Sequence, residues 1–337
     1  MIMLKFLFVG FLFGAIMQYS KINTNCVISG MATLDDFTVA KTIAVTLGLG
    51  SILLNIEIGL GFASYHILPF LLVGVIGGGL IFGSGMAILV YCPGTLPISL
   101  GQGSLDALVG ILGGFVAVAV YSVASPLLQS FLGPDLGQIS LHSIVGSNAL
   151  FYALVFIFGG ILIGSAFWLQ KIDKSNSYKW VYSGVGLALL FSTSFFHTVL
   201  DNVVGAATSF VYIGDKLLGA TDNSYFEKWE TAGYIQSYFI LGAFLAGLFF
   251  SIIKKEFKLV LLYSNWIKYK GTSKTKRIVW AFVGGFLLLI GARMAGGCTS
   301  GHVISGGIQL ALSSFVFAFF TFMGLLITGK LFYGSEI

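Results

Sequence analysis

Residues 291–307 read GARMAGGCTSGHVISGG, and how this stretch is read decides the fold. It holds one of the chain's two arginines, one of its three cysteines and one of its four histidines, and six of its seventeen residues are glycine. Apolar runs flank it on both sides. Inside a bilayer no water satisfies bare backbone, so a glycine-rich interruption survives only where protein or a water-filled cavity meets its polar groups. Ionisable residues at such a place are costly and mark functional sites.

The rest of the chain supports a membrane setting. Of 337 residues 57% are hydrophobic and 9% charged, and the mean hydropathy is +0.95. Soluble domains carry about a quarter charged residues, so this chain cannot cover a water-facing surface. Apolar runs of spanning length recur, which predicts an all-α membrane protein. About nine transmembrane helices are expected, near residues 4–20, 40–57, 66–90, 104–130, 146–170, 178–197, 233–253, 278–296 and 308–332. The first run lacks a strongly basic start and a small-residue cleavage site, so it reads as a retained helix rather than a signal peptide.

Lysine and arginine set the expected orientation. Loops after odd-numbered spans hold Lys21, Lys41, Lys171, Lys174, Lys179, Lys254, Lys255, Lys258, Lys268, Lys270, Lys274, Lys276 and Arg277, with Lys330 near the C-terminus. The other side holds Lys5, Lys216 and Lys228. The basic side faces the cytoplasm by the positive-inside rule, with the N-terminus outside and the C-terminus inside. The net charge of +5 reports this distribution and implies no nucleic-acid partner.

Two stretches share a pattern. GMAILVYCPGTLPISLGQG (85–103) and RMAGGCTSGHVISGGIQ (293–309) both place Met-Ala before a cysteine and then run Cys-x6-Ser-x-Gly. The shared positions are Cys92, Ser99 and Gly101 in one and Cys298, Ser305 and Gly307 in the other. NTNCVISG, with Cys26, is a shorter echo. Cys26 and Cys92 follow spans 1 and 3, whereas Cys298 follows span 8, which runs the other way. The expectation is one membrane domain over 1–337, with a first half at 1–133, a linking helix at 146–170 and a second, inverted half at 178–337. Inverted repeats place substrate sites near the midplane at broken helices. A fourth break is expected within 192–209.

Pro93, Gly94 and Pro97 interrupt a helix in the first stretch, as Gly296, Gly297 and Gly301 do in the second. Re-entrant segments are therefore expected, each with a half-helix starting past its cysteine and pointing free N–H groups at an anion. A neutral thiol is a weak donor and a soft, polarizable partner. Three thiols at such tips suit a sulfur-bearing anion better than a hard cation. Blander readings stand beside these. A cysteine in a membrane helix ordinarily acts as a small hydrophobe, Arg293 could brace a loop end, and His302 could be a satisfied structural donor. His66, His142 and His197 are placed near the outer surface. No CxxC or HxxxH spacing supports zinc, and no nucleotide, GxSxG or other catalytic signature is present. No cofactor, metal or enzyme activity is expected.

Residues 291–306 resemble the YeeE/YedE family of thiosulfate transporter-like membrane proteins, whose pattern they match throughout. Residues 85–103 resemble its other cysteine loop more loosely, with Tyr91 where a glycine often precedes the cysteine, and residues 11–20 look like its opening helix. The resemblance implies an hourglass-like fold with re-entrant segments at its waist and uptake of thiosulfate across the cell inner membrane. It implies that Cys92 and Cys298, and more loosely Cys26, handle the substrate. The candidate transport residues are thus Cys26, Cys92, Cys298, Arg293, His302, Ser99, Ser305, Gly297 and Thr299. Some family members are linked to selenium, so another sulfur or selenium compound is an alternative cargo. The expected partners are the thiosulfate ion, the lipid bilayer and a cytoplasmic sulfur-transfer protein. Two rival functions are a membrane thiol enzyme or sulfur carrier, in which His302 would activate Cys298, and a subunit that docks a sulfur-handling complex through residues 254–277.

Overall fold

The computed structural model describes residues 1–173 and 177–334. Lys174, counted with the basic loops, and residues 335–337 of the expected second half lie outside them. The described residues form helices and isolated bridges with no strand. In chain order the helices are α1 (Ile2–Tyr19), α2 (Asn25–Ala32), α3 (Thr38–Gly59), α4 (Leu72–Leu89), α5 (Thr95–Gly101), α6 (Leu105–Leu128), α7 (Leu141–Ile144), α8 (Asn148–Ile172), α9 (Lys179–Ser194), α10 (Ala206–Leu218), α11 (Ser224–Ile253), α12 (Ser264–Lys270), α13 (Lys274–Met294), a π-helix (Thr299–Gly306) and α14 (Leu312–Tyr333).

Eight of these are long and apolar enough to cross a membrane, namely α1, α3, α4, α6, α8, α11, α13 and α14. With its many apolar crossings the chain is an all-α, multi-pass membrane protein. The ninth expected span is α9, which has 16 residues. At 1.5 Å per residue it rises about 24 Å, less than the roughly 30 Å of a hydrocarbon core. Its end is set by Ser192, Thr193 and Ser194, whose hydroxyls donate back to the carbonyls of Leu189, Leu190 and Phe191. Such local bonds compete with the helical ladder.

Short helices stand at the four breaks: α2 after α1, α5 after α4, α10 after α9, and the π-helix after α13. The long helices pair across the molecule. α1 packs on α11 and α3 on α9, while α4 packs on α14 and α6 on α13, and α4 and α13 meet one another. α8 packs on α3 at the edge, with Phe156, Ile157 and Ile161 exposed on its outer side. Close approach at α1 and α11 depends on two glycines. A Cβ on Gly10 would lie 2.0 Å from the Phe239 carbonyl oxygen, and one on Gly242 would lie 2.0 Å from that of Leu7. Small residues of this kind let membrane helices pack backbone to backbone, where lipid offers little hydrophobic driving force.

Two buried ion pairs fasten the basic end. Arg277, at the start of α13, donates from Nε and Nη2 to Asp106 Oδ2 at 3.1 and 2.5 Å. It also donates to the carbonyls of Ile88 and Leu89. α4 loses its ladder just there, because Val90 takes a left-handed conformation with φ 64°. The guanidinium thus satisfies carbonyls that the break frees. Lys41 pairs with Asp173 at 2.5 Å, donates to Gln170 and lies over the Trp180 ring, joining α3 to α8 and α9. Removing one member of such a pair typically costs about 3–5 kcal/mol, because the other is left as an uncompensated buried charge.

Candidate functional site

At the end away from the basic loops, a vestibule of about 260 Å³ leads to Cys298. His66, Gln138, Asn202, Trp229 and Gln236 line it, together with Gly296, Gly297 and Gly301. The glycines have local reasons. Gly296 has φ +77°, which turns the chain out of α13, and only glycine adopts that conformation at little cost. A Cβ on Gly297 would lie 2.8 Å from His302 Cδ2. Cys298 follows in extended backbone, buried, and caps the π-helix. π-turns are rare and concentrate at functional sites.

A second cavity, about 350 Å³ and almost wholly apolar, holds Cys92. Met17, Met31, Met86, Leu47 and Phe13 contribute to its wall, with Thr95, Thr299 and Ser300 as its polar edge. The Thr95 hydroxyl lies 3.4 Å from Cys92 Sγ and accepts the Cys92 N–H. Ser300 joins the two cavities. Its Oγ is 3.3 Å from Cys298 Sγ and accepts the Ala206 N–H at 3.1 Å, yet it also faces the cavity of Cys92. The structure therefore puts Thr299, Ser300 and Cys92 on one cavity wall, with Cys298 of the vestibule reached through its contact with Ser300.

The matched serines act on backbone. Ser99 Oγ donates to the Asn23 carbonyl at 2.7 Å, and Ser305 Oγ donates to the Val204 carbonyl at 3.3 Å. Each ties its half-helix to the break that precedes α2 or α10. Both serines are buried in these bonds.

Arg293 and His302 are buried and turned toward protein. Arg293 Nε donates to the Tyr225 hydroxyl at 2.6 Å, and its guanidinium stacks between the rings of Tyr225 and Trp229, at 5.3 and 5.1 Å. Nη1 and Nη2 have no protein partner. Trp229 is also vestibule wall, so the charge sits directly behind that wall. His302 Nε2 lies 2.7 Å from the Ala295 carbonyl, Nδ1 lies 3.3 Å from Ser314 Oγ, and the ring stacks on Phe317. Both ring nitrogens are engaged away from the Cys298 thiol, and the imidazole fastens the glycine break to α14.

Cys26 stands apart. It lies in the first turn of α2, exposed, with Sγ 3.6 Å from Ser264 Oγ of α12. At the opposite mouth, Asp201 Oδ1 accepts from Ser64 and lies 3.1 Å from His66 Nε2 and 3.3 Å from His197 Nδ1. The His66 bond, with those of His197 and Ser64, holds the Asp201 carboxyl below its ordinary range. His142 lies nearby against Tyr65.

Several site residues escape a reading of the sequence alone. Thr95 and Ser300 lie beside cysteines in quoted motifs and could have been marked by that adjacency. Asn202 lies in the break expected within 192–209, whereas Trp229, Tyr225 and Gln236 carry no local signal, because only the fold brings α11 to the α13 break.

The chain is 28% identical to a protein named thiosulfate transporter TsuA from Spirochaeta thermophila, over 94% of this chain and 95% of that one. Residues 19–327 match the family model described as sulphur transport. That match covers most of the chain, including all three cysteines, and the chain belongs to the sulphur transport family.

Proposed function

We propose that this protein is an inner-membrane permease that takes up thiosulfate. The observation that carries the reading is the sequence of chambers: a polar vestibule ends at Cys298, and Ser300 connects it to a cavity holding Cys92. Likeness to a transporter named for thiosulfate supports the choice of substrate. The anion enters where backbone N–H groups and the field of Arg293 oppose its charge. It then exchanges hydrogen bonds with Cys298, Ser300, Thr299 and Cys92 in turn. Several weak sites in series let a solute bind and leave, as conduction requires. Met17, Met31, Met86 and Cys92 give the second cavity polarizable walls suited to the terminal sulfur. Cys26 is the last thiol, at the basic end, where a sulfur-transfer protein would collect the product. No covalent step is needed.

The two halves, 1–133 and 178–337, act in this reading as inverted repeats about α8. The mirrored pairings of α1 with α11 and α9 with α3, and of α4 with α14 and α13 with α6, support that arrangement. The basic end faces the cytoplasm, with the N-terminus outside. Purified protein in liposomes should accumulate radiolabelled thiosulfate above protein-free controls, and excess unlabelled thiosulfate should compete. Absence of uptake under both inward and outward proton gradients would defeat the permease reading. Reporters at Gly271 and Asp222 should report inside and outside respectively, and an outside signal at Gly271 would reverse the orientation.

A further inference from the structure

Different residues precede Cys298 and Cys92, and the difference changes what each cysteine faces. Gly297 stands before Cys298, and both line the vestibule. Tyr91 stands before Cys92. It is fully buried and lines a third cavity, about 240 Å³, at the basic end. That cavity is polar. Asn23, Asn25, Gln102 and Ser104 are on its wall, and Lys258 and Glu256 also reach it. Cys92 is not on this wall, and Tyr91 is not on the wall of the apolar cavity that Cys92 lines. Tyr91 thus faces the polar chamber, whereas its neighbour Cys92 faces the apolar cavity.

The ring is held from two sides. Val90, left-handed, turns the chain off α4. The Tyr91 hydroxyl donates to Asp106 Oδ1 at 3.3 Å, and Asp106 is fixed by Arg277. The chamber beyond holds unused polar atoms. Asn25 is 2% exposed, and its Nδ2 has no partner. Asn23 is 0% exposed; its Nδ2 donates to Gln102 Oε1, while its Oδ1 is unpaired. A buried amide N–H without an acceptor is unfavourable, and an oxyanion oxygen supplies one. Lys258 and Glu256 both stand on its wall, and the unpaired Asn25 amide is the donor that an oxyanion would meet there.

We propose that this chamber is an inner binding site for a small sulfur oxyanion, with Asn25 as its donor and the Tyr91 ring as the partition that separates it from Cys92. The proposal rests on the permease reading and extends it, since it adds an exit site and the residue that controls passage to it. Where Gly297 leaves Cys298 open to its vestibule, Tyr91 closes the corresponding approach to Cys92. Opening needs the ring to swing and its hydroxyl to leave Asp106 and Tyr263.

The test reads access without transport. In a protein whose sole cysteine is Cys92 (Cys26→Ser, Cys298→Ser), a charged, membrane-impermeant methanethiosulfonate is applied to vesicles whose basic end faces the bath. Tyr91→Gly should be labelled at least tenfold faster than the Tyr91 parent, and Tyr91→Phe, which keeps the ring, as slowly as the parent. Sulfate in the bath should slow labelling of Tyr91→Gly, and Asn25→Leu should abolish that protection. Sulfate is the probe because thiosulfate would consume the reagent. Tyr91→Ala replaces the glycine variant if that one fails to insert. Equal labelling of the small-residue variant and the parent would refute the partition, and sulfate protection that survives Asn25→Leu would refute the site. Neither result depends on thiosulfate uptake, which tests the permease reading separately.

Discussion

Substituting Arg293 separates charge from bracing. Its Nε–H bond to the Tyr225 hydroxyl joins a charged donor to a neutral acceptor, and such bonds are worth about 1.5–3 kcal/mol. The two ring contacts add about 0.5–2 kcal/mol each where water is excluded. In Arg293→Lys the charge stays and the ammonium can reach the Tyr225 hydroxyl, but the planar stack between Tyr225 and Trp229 is lost. The net cost is about 1–3 kcal/mol after that partial replacement. Arg293→Gln also removes the charge. Asp215, buried and within the field of Arg293, then loses that favourable interaction as well. Thermal unfolding of detergent-solubilised protein should therefore rank wild type above Lys and Lys above Gln, with a shift of roughly 2–4 °C per kcal/mol. Because Trp229 is vestibule wall, the Lys variant should raise the KM for thiosulfate more than it lowers the maximal rate. A Gln variant that melts and transports like wild type would refute both roles.

Arg277→Met should destabilise by about 3–5 kcal/mol by stranding Asp106 and the Ile88 and Leu89 carbonyls; adding Asp106→Leu should recover part of that loss, as a double-mutant cycle by thermal unfolding would show. Gly10→Leu should prevent α1 from seating on α11, giving aggregated protein on gel filtration, whereas Gly160→Ala, which meets nothing within 4 Å, should be neutral. Asp201 has a depressed folded value, so its contribution is present above the ordinary carboxylate range near 4 and is lost as pH falls through the folded value. Stability from pH 7 down to 3 should fall less steeply in Asp201→Asn than in wild type, and parallel curves would show that the contacts to His66 and His197 contribute nothing.

The membrane class, most of the spans and the four breaks were legible because hydropathy and glycine clusters are local. The motif at 291–307 stood out for the same reason, since rare polar residues amid apolar runs need a purpose. What the polar residues touch was not legible. Ser99 and Ser305 match in spacing, but their shared bond to a preceding break depends on carbonyls at Asn23 and Val204 that the fold brings near. Arg293 aims at α11, 68 residues away along the chain. Nothing local to 293 announces Tyr225 or Trp229. The Cys298–His302 spacing suggested a thiol and its base one turn apart, yet π winding and the carbonyl of Ala295 turn the imidazole elsewhere. Cys26 carries the break signal, while its cover by Ser264 comes from a loop whose sequence reads only as basic. The shortness of α9 depends on which hydroxyls turn back on the backbone, a choice that hydropathy does not record.

The central claim is that thiosulfate passes Cys298 and then Cys92. The initial rate of labelled thiosulfate uptake by proteoliposomes, measured for wild type, Cys298→Ala, Cys92→Ala and Cys26→Ala at matched protein content, tests it most directly. Losing one thiol donor at an otherwise unsatisfied step costs about 1–3 kcal/mol. The account predicts that Cys298→Ala and Cys92→Ala each lose roughly tenfold or more in rate, and Cys26→Ala less, with all three inserted normally. Wild-type rates for both Cys298→Ala and Cys92→Ala would contradict it and place the path elsewhere.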